Sequence, residues 1–186
     1  PEDAIDVLEQ VIVQDNTSKV AYRKIALAYD RAEMFKQASE SYEELFKLDP
    51  RDFRVALQVS EVNTAGGNFG KAMRWAEKAI TSSKSGEAYA QRGNVYYKSF
   101  QECRSSDISI DDRIVASLAH KSFILAEEND YRRFHNSLVW LDENEVLFGR
   151  SQWFMLDANK KKQGYVKPDS ECYNWVEKKL DKDPNW

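Results

Sequence analysis

The segment from Lys19 to Asp52 most constrains what this chain can fold into. Apolar residues recur there at helical spacing in two runs separated by a break. Tyr22, Ile25, Ala26 and Tyr29 fall on one face of a first helix, and Ala38, Tyr42, Leu45 and Leu48 on one face of a second. Met34, Phe35 and Lys36 are expected to form the turn, and Pro50 ends the second helix. Each helix carries one apolar stripe, which must be buried against a neighbour.

The unit returns along the chain with variations. Residues 53–85 form a second copy, with Gly66, Gly67 and Asn68 as its turn and Phe69, Ala72, Ala76 and Ala79 on one face of its second helix. Its first helix carries the smaller Ala56, Val59 and Ser60. A third copy opens at Gly86, where Tyr89, Gly93 and Tyr96 take the first-helix positions. Arg92 stands where an apolar residue is expected, and its aliphatic stem can pack while its head reaches water. This helix runs on through Phe100 and Cys103, and residues 104–111 interrupt it. Ser109 with Asp112 has the form of a capping box for a second helix from about Asp112 to Glu128, carrying Ala119, Phe123 and Ala126.

The two ends differ from this plan. Residues 2–15 read as a second helix with no first helix before it, since Ala4, Leu8 and Val11 fall where Ala38, Tyr42 and Leu45 fall later. The chain is therefore expected to be a fragment cut inside a longer array. The apolar residues Ile5, Leu8, Val11 and Ile12 are expected to be partly exposed and open to a homodimer contact. After Asn129 and Asp130 a further helix is expected to about Glu145, with Tyr131, Phe134, Leu138 and Leu141 on one face and Gly149 as its stop. Trp153, Phe154, Met155 and Tyr165 then lie in a stretch with little helical period. Pro168 is expected to start a last helix that turns Cys172, Trp175, Val176 and Leu180 inward.

Tyr22, Ile25, Ala26, Tyr29, Ala38, Tyr42 and Pro50 fall on the slots of a tetratricopeptide repeat, W-x2-L-G-x2-Y, A-x3-F and P in about 34 residues, with Ile25 and Ala26 replacing the usual Leu and Gly. The chain resembles that family over about residues 1–145. The resemblance implies an all-α fold, a right-handed superhelical solenoid of antiparallel helix pairs with a non-repeat C-terminal cap. The expected divisions are a partial repeat at 1–18, repeats at 19–52 and 53–85, an extended unit at 86–129, an additional helix at 130–149 and a capping segment at 150–186. Ala38, Ala72, Ala79 and Ala119 are expected at helix contacts, and Trp153, Phe154, Trp175 and Leu180 are expected to cover the last repeat.

Members of the family hold a peptide or partner protein on the concave face lined by their first helices. Here that face implies Arg23, Leu27, Asp30 and Arg31, then Arg54, Leu57 and Glu61, then Ala90, Asn94, Tyr97 and Lys98. Some relatives clamp a C-terminal carboxylate with Lys, Asn, Asn, Lys and Arg. The matching positions here hold Arg23, Leu27, Gln58, Glu87 and Gln91, which departs from such a clamp. The expectation is a non-enzymatic interaction scaffold without a cofactor. The alternative is a self-assembling module that forms homo-oligomers through its solenoid ends.

Composition narrows the classes further. A net charge of -4 gives no general affinity for nucleic acid. The mean hydropathy is -0.68, and no run approaches the roughly 20 apolar residues of a membrane span. His120 and His135 lie on expected helices with no metal-ligand pattern around them. Gly66 and Gly70 are separated by three residues, and Ala72 follows Lys71, so the phosphate-loop pattern is not met. Lys160, Lys161 and Lys162 read as a solvated loop, with contact to an acidic partner as the other reading. Cys103 and Cys172 form no C-x-x-C pair and are expected as two reduced, partly buried thiols; the alternative is a disulfide joining the last helix to the third repeat.

Overall fold

The computed structural model describes residues 2–186, with side chains from Ile5 onward. Ala4, placed on the N-terminal stripe by its spacing, lies outside the described side chains. The fold is all-α, with helices packed against their sequence neighbours. The helices are α1 (Glu2–Gln14), α2 (Lys19–Arg31), α3 (Phe35–Leu48), α4 (Phe53–Ala65), α5 (Phe69–Ser83), α6 (Gly86–Cys103), α7 (Ile110–Glu128), α8 (His135–Glu143), α9 (Arg150–Met155) and α10 (Ala158–Lys162). Two short strands, β1 (Tyr165–Val166) and β2 (Leu180–Asp181), pair antiparallel near the C-terminus. The chain divides into two compact units, residues 1–91 and 92–186, with the division inside α6.

In the first unit α1 lies on α2, α2 on α3, α3 on α4 and α4 on α5. Ala38, Ala72, Ala76 and Ala79 have no exposed surface, and their small side chains allow neighbouring backbones close together. Tyr42, Leu45, Val55 and Val59 fill the space beside them. Ile5 is buried against this core, while Leu8 and Ile12 are only half-buried and Val11 is exposed.

The α2–α3 and α4–α5 turns share one geometry. Glu33 donates its N–H to the Asp30 carbonyl at 3.0 Å, and Met34 donates to Tyr29 at 2.9 Å. Gly67 and Asn68 repeat the pattern onto Thr64 and Asn63 at 3.2 and 2.8 Å. Both are Schellman turns, which require left-handed backbone just past the helix end. Glu33 has φ 57° and Gly67 φ 70°. The turn expected at 34–36 therefore lies at 32–34, because the left-handed step at Glu33 closes α2 early and leaves Phe35 and Lys36 inside α3. At Gly66 a Cβ would stand 2.9 Å from the Phe35 Cβ, so this turn has no room for a side chain there.

Neutral polar groups tie the same helices together. Asn63 Nδ2 donates to the Ser39 hydroxyl and to the Val59 carbonyl, each at 2.7 Å. Ser60 donates to the Ala72 carbonyl at 2.8 Å, and Gln91 Nε2 donates to Ser60 at 2.9 Å and to Thr64 at 3.2 Å. All five side chains are buried, where an unmet hydrogen bond would cost about 1–3 kcal/mol.

The second unit is closed by other means. Gly93 on α6 meets Phe123 of α7 so closely that a Cβ would come within 2.5 Å of the ring. Ser109 and Asp112 form the expected capping box, but α7 starts at Ile110, because Ser109 is itself the cap. The helix expected from residue 130 starts only at His135. Asp130, at φ 60°, makes a third Schellman turn, with Tyr131 donating to Ala126 at 2.9 Å. Phe134 lies outside the helix and stacks on Phe123, centroids 5.4 Å apart.

The C-terminal stretch departs furthest from expectation. Gly149 caps the start of α9 instead of stopping a helix. The last expected helix is absent; a 3-10 turn at Glu171–Tyr173 leads toward β2. Tertiary bonds to the start of α7 outweigh local helix preference there. Asp111 Oδ2 accepts the N–H groups of Asp169 and Ser170 at 3.0 and 2.7 Å, and the Tyr173 hydroxyl donates to Asp112 Oδ1 at 2.6 Å. Cys103 and Cys172 are joined by a disulfide rather than left as thiols. Of the residues expected to provide cover, Trp153 and Leu180 are buried and Trp175 stacks on Tyr96 at 5.8 Å. Phe154 does not provide cover, since it stands 57% exposed.

Candidate functional site

The residues expected to line a partner face divide between the two units. In the first, α2 carries Arg23, Leu27, Asp30 and Arg31, and α4 carries Arg54, Leu57 and Glu61. One Arg23 guanidinium nitrogen donates to Gln58 Oε1 at 3.3 Å, and another lies 3.6 Å from the Asp52 carboxylate. Asp52 also caps α4, accepting the Arg54 N–H at 3.1 Å. A single carboxylate thus starts one helix and fixes the guanidinium of another.

Tyr42 brings α3 into this face. Burial pushes its hydroxyl up to about 12; the charges of Asp30 and Glu61 act in the same direction, and those of Arg23 and Arg31 oppose them. The charges of four of the expected residues therefore act on one buried phenol. Burial also raises the Asp30 carboxyl. Leu27 is 37% exposed and Arg31, Arg54 and Glu61 are exposed, which leaves a mixed-sign surface with an apolar centre. Leu57 is in the core at 4% exposure and Ala90 at 1%, so neither can meet a partner directly.

In the second unit Lys98 is exposed and Asn94 half-buried. Tyr97 is held in an aromatic cluster, with ring centroids 6.1 Å from Phe123 and 6.2 Å from Trp140. Its ring edges serve packing as much as any surface.

Three of the positions tested against a carboxylate clamp, Arg23, Gln58 and Gln91, are engaged internally. Arg23 holds Gln58, and Gln91 holds Ser60 and Thr64. The sequence reading missed Asp52 as part of this face. Tyr42 lies in the core, as its helical spacing implies, and Asp52 carries only the faint signal of an acidic residue just before a helix.

Other chemistry is sparse. His120 Nε2 and Asp142 Oδ1 are 2.7 Å apart, and His135 Nδ1 and Glu127 Oε1 are also 2.7 Å apart; each histidine joins α7 to the α8 region. Among the described residues no group of three or more His, Cys, Asp or Glu is placed to hold a metal ion. None of the described helices is long and apolar enough to cross a membrane.

No family model and no curated protein matches the chain. Among solved structures, a chain described as "MamA MSR-1 C2" is similar at a TM-score of 0.53 and 16% identity, over 68% of this chain and 65% of that one. That neighbour is a tetratricopeptide-like helical repeat protein. This chain has a helical-repeat fold. At such low identity the likeness extends to the fold alone.

Proposed function

We propose that this chain is a tetratricopeptide-repeat protein that binds a peptide or partner protein, without catalysis, on the α2–α4 face. The observation that carries the reading is the mixed-sign set Arg23, Asp30, Arg31 and Glu61, whose charges all act on the buried Tyr42, together with the exposed Leu27. Interfaces favour exposed arginine around a small apolar centre, as Arg31 stands one turn from Leu27. Arg54 belongs to this face on α4, while Asn94, Tyr97 and Lys98 on α6 are proposed as a separate set of partner-binding residues within the second unit. The repeats would span 19–52 and 53–85, with 86–129 as a stretched unit, 130–149 as an added helix and 150–186 as a cap. A random peptide library selected against the chain tests the reading. Selected peptides should lose about tenfold in affinity when Arg31→Glu and Arg54→Glu are combined. Equal binding by that variant places the site elsewhere.

A second reading, self-association, is favoured by α1. Val7 and Val11, one turn apart, are 59% and 39% exposed, and Val13 is 86% exposed. Light scattering over a range of concentrations should then show a dimer that Val7→Lys with Val11→Lys dissolves. A wild-type chain that stays monomeric removes this reading.

A further inference from the structure

Phe154 and Met155 end α9, and both face water, at 57% and 75% exposure. Their neighbours Trp153 and Leu156 are buried, so the packed segment turns two large apolar groups outward between two anchored ones. Two cations lie against Phe154. The Arg150 guanidinium lies 5.6 Å from the centre of the Phe154 ring. The Lys161 ammonium donates to the Phe154 carbonyl at 2.7 Å, so α10 folds its charge back onto α9. Lys162 is exposed beside it, while Lys160 pairs with Asp169. Residues 150–162 hold four cations and one carboxylate, Asp157, a net of +3 in a chain of -4. Asp157 is turned to backbone work, accepting the N–H groups of Asn159 and Lys160 at 2.9 Å each.

We propose that α9 and α10 form a docking surface for an anionic lipid bilayer, with Phe154 and Met155 entering the headgroup layer and Arg150, Lys161 and Lys162 meeting the lipid phosphates. Two features favour a bilayer over an acidic polypeptide. First, the apolar pair protrudes: two cavities of this unit are lined by Ile110, Ile114 and Val166, and by Ser117, Phe148 and Trp186, and neither of these two includes Phe154 or Met155, which stand 57% and 75% exposed. A peptide wants a groove for its anchors, whereas a bilayer accepts a wedge. Second, the cations flank the wedge, the arrangement in which apolar insertion and attraction to anionic lipid add. The surface adds to the proposed protein-binding face and does not depend on it.

Co-sedimentation of the full chain with vesicles tests the proposal. The chain should sediment with vesicles of phosphatidylcholine and phosphatidylserine, and far less with phosphatidylcholine alone. Phe154→Ser with Met155→Ser should weaken binding about tenfold, and Lys161→Gln with Lys162→Gln about as much at low salt. Phe154, Met155 and Lys162 are exposed and Lys161 is half-buried, so unchanged circular dichroism should confirm that the variants stay folded. No binding to the anionic vesicles overturns the proposal. So does binding that the Phe154 and Met155 substitutions leave intact. Binding to soluble polyglutamate with equal strength and the same dependence on Phe154 overturns it in favour of an acidic protein partner.

Discussion

The two units solve the same packing problem with different materials. The first uses buried alanines, short Schellman turns and a ladder of neutral hydrogen bonds through Ser39, Asn63, Ser60, Thr64 and Gln91. Most of these devices act between helices next to each other in sequence; the Gln91 bonds, from α6 to α4, skip one helix. The second uses a covalent bond, a capping box, aromatic stacking and carboxylates that grip backbone N–H groups and a tyrosine hydroxyl some 60 residues away. Its closing contacts join α6 and α7 to a tail with little helix of its own. A repeat can hold itself by local contacts, whereas an irregular segment needs a few strong, long-range ones.

The sharpest way to break this contrast is to reduce the disulfide. Cys103 and Cys172 lie 69 positions apart, and closing a loop of that size stabilises by about 4 kcal/mol through the unfolded chain. Cys103→Ser with Cys172→Ser should therefore lower the denaturation midpoint of residues 92–186, while amide exchange in α2–α5 stays unchanged. A uniform loss across both units would show that they do not unfold separately.

The first unit should be most sensitive to volume. Ala72 has no exposed surface and sits beside the Ser60 hydrogen bond, so Ala72→Leu should cost about 1–3 kcal/mol by overpacking. Chemical denaturation measures it, and an unchanged midpoint would mean the α4–α5 contact is loose.

Alkali separates the units by mechanism. Tyr29 is pushed up to about 12 mainly by burial and by its bond to Glu9, and Tyr42 to about 12 by burial and the nearby Asp30. Burial and the bond to Asp112 raise Tyr173 further still. A tyrosine whose folded value exceeds its unfolded value of about 10 contributes stability that is complete below 10 and lost as pH rises through the folded value. The first unit should thus weaken between pH 10 and 12, and the Tyr173 tether should give way last. Tyrosinate absorbance followed beside circular dichroism gives the order; simultaneous loss at pH 10 would contradict it.

The smallest effect belongs to a turn. Glu33 holds left-handed backbone that Gly67 holds at the equivalent place. Glu33→Gly should raise stability by up to about 1 kcal/mol by removing the strain of its Cβ, read as a higher Tm. A lower Tm would mean the Glu33 side chain contributes more than its backbone costs.

The first unit was largely legible in the sequence, and the second only in part. Helical spacing located α2 to α5, because there most residues of each apolar stripe are buried by a neighbour close in sequence. The α2–α3 turn was misplaced, since glutamate gives no warning of a positive φ. Spacing failed after Gly149, where Cys172, Trp175, Val176 and Leu180 imitate a helical stripe but answer to Cys103, Tyr96 and β1. Pattern reading sees only what a segment prefers alone, and there the deciding bonds come from α6 and α7. The proposed face was half legible for the same reason. Helix assignment puts Arg23, Asp30, Arg31 and Glu61 on their helices, but gives no sign that the charges of all four act on Tyr42 of α3.

The matching turns at Glu33 and Gly67 give the chain something like a reading frame. The two left-handed residues are separated by 67 minus 33, or 34, positions, and the helix that follows each begins two residues later, at Phe35 and at Phe69. A loss or gain of that whole span leaves every following face pointing as before. A change of one residue inside a helix instead turns all that follows it by about 100°. Length change in such a protein is therefore quantised: whole copies pass, and fractions scramble the message.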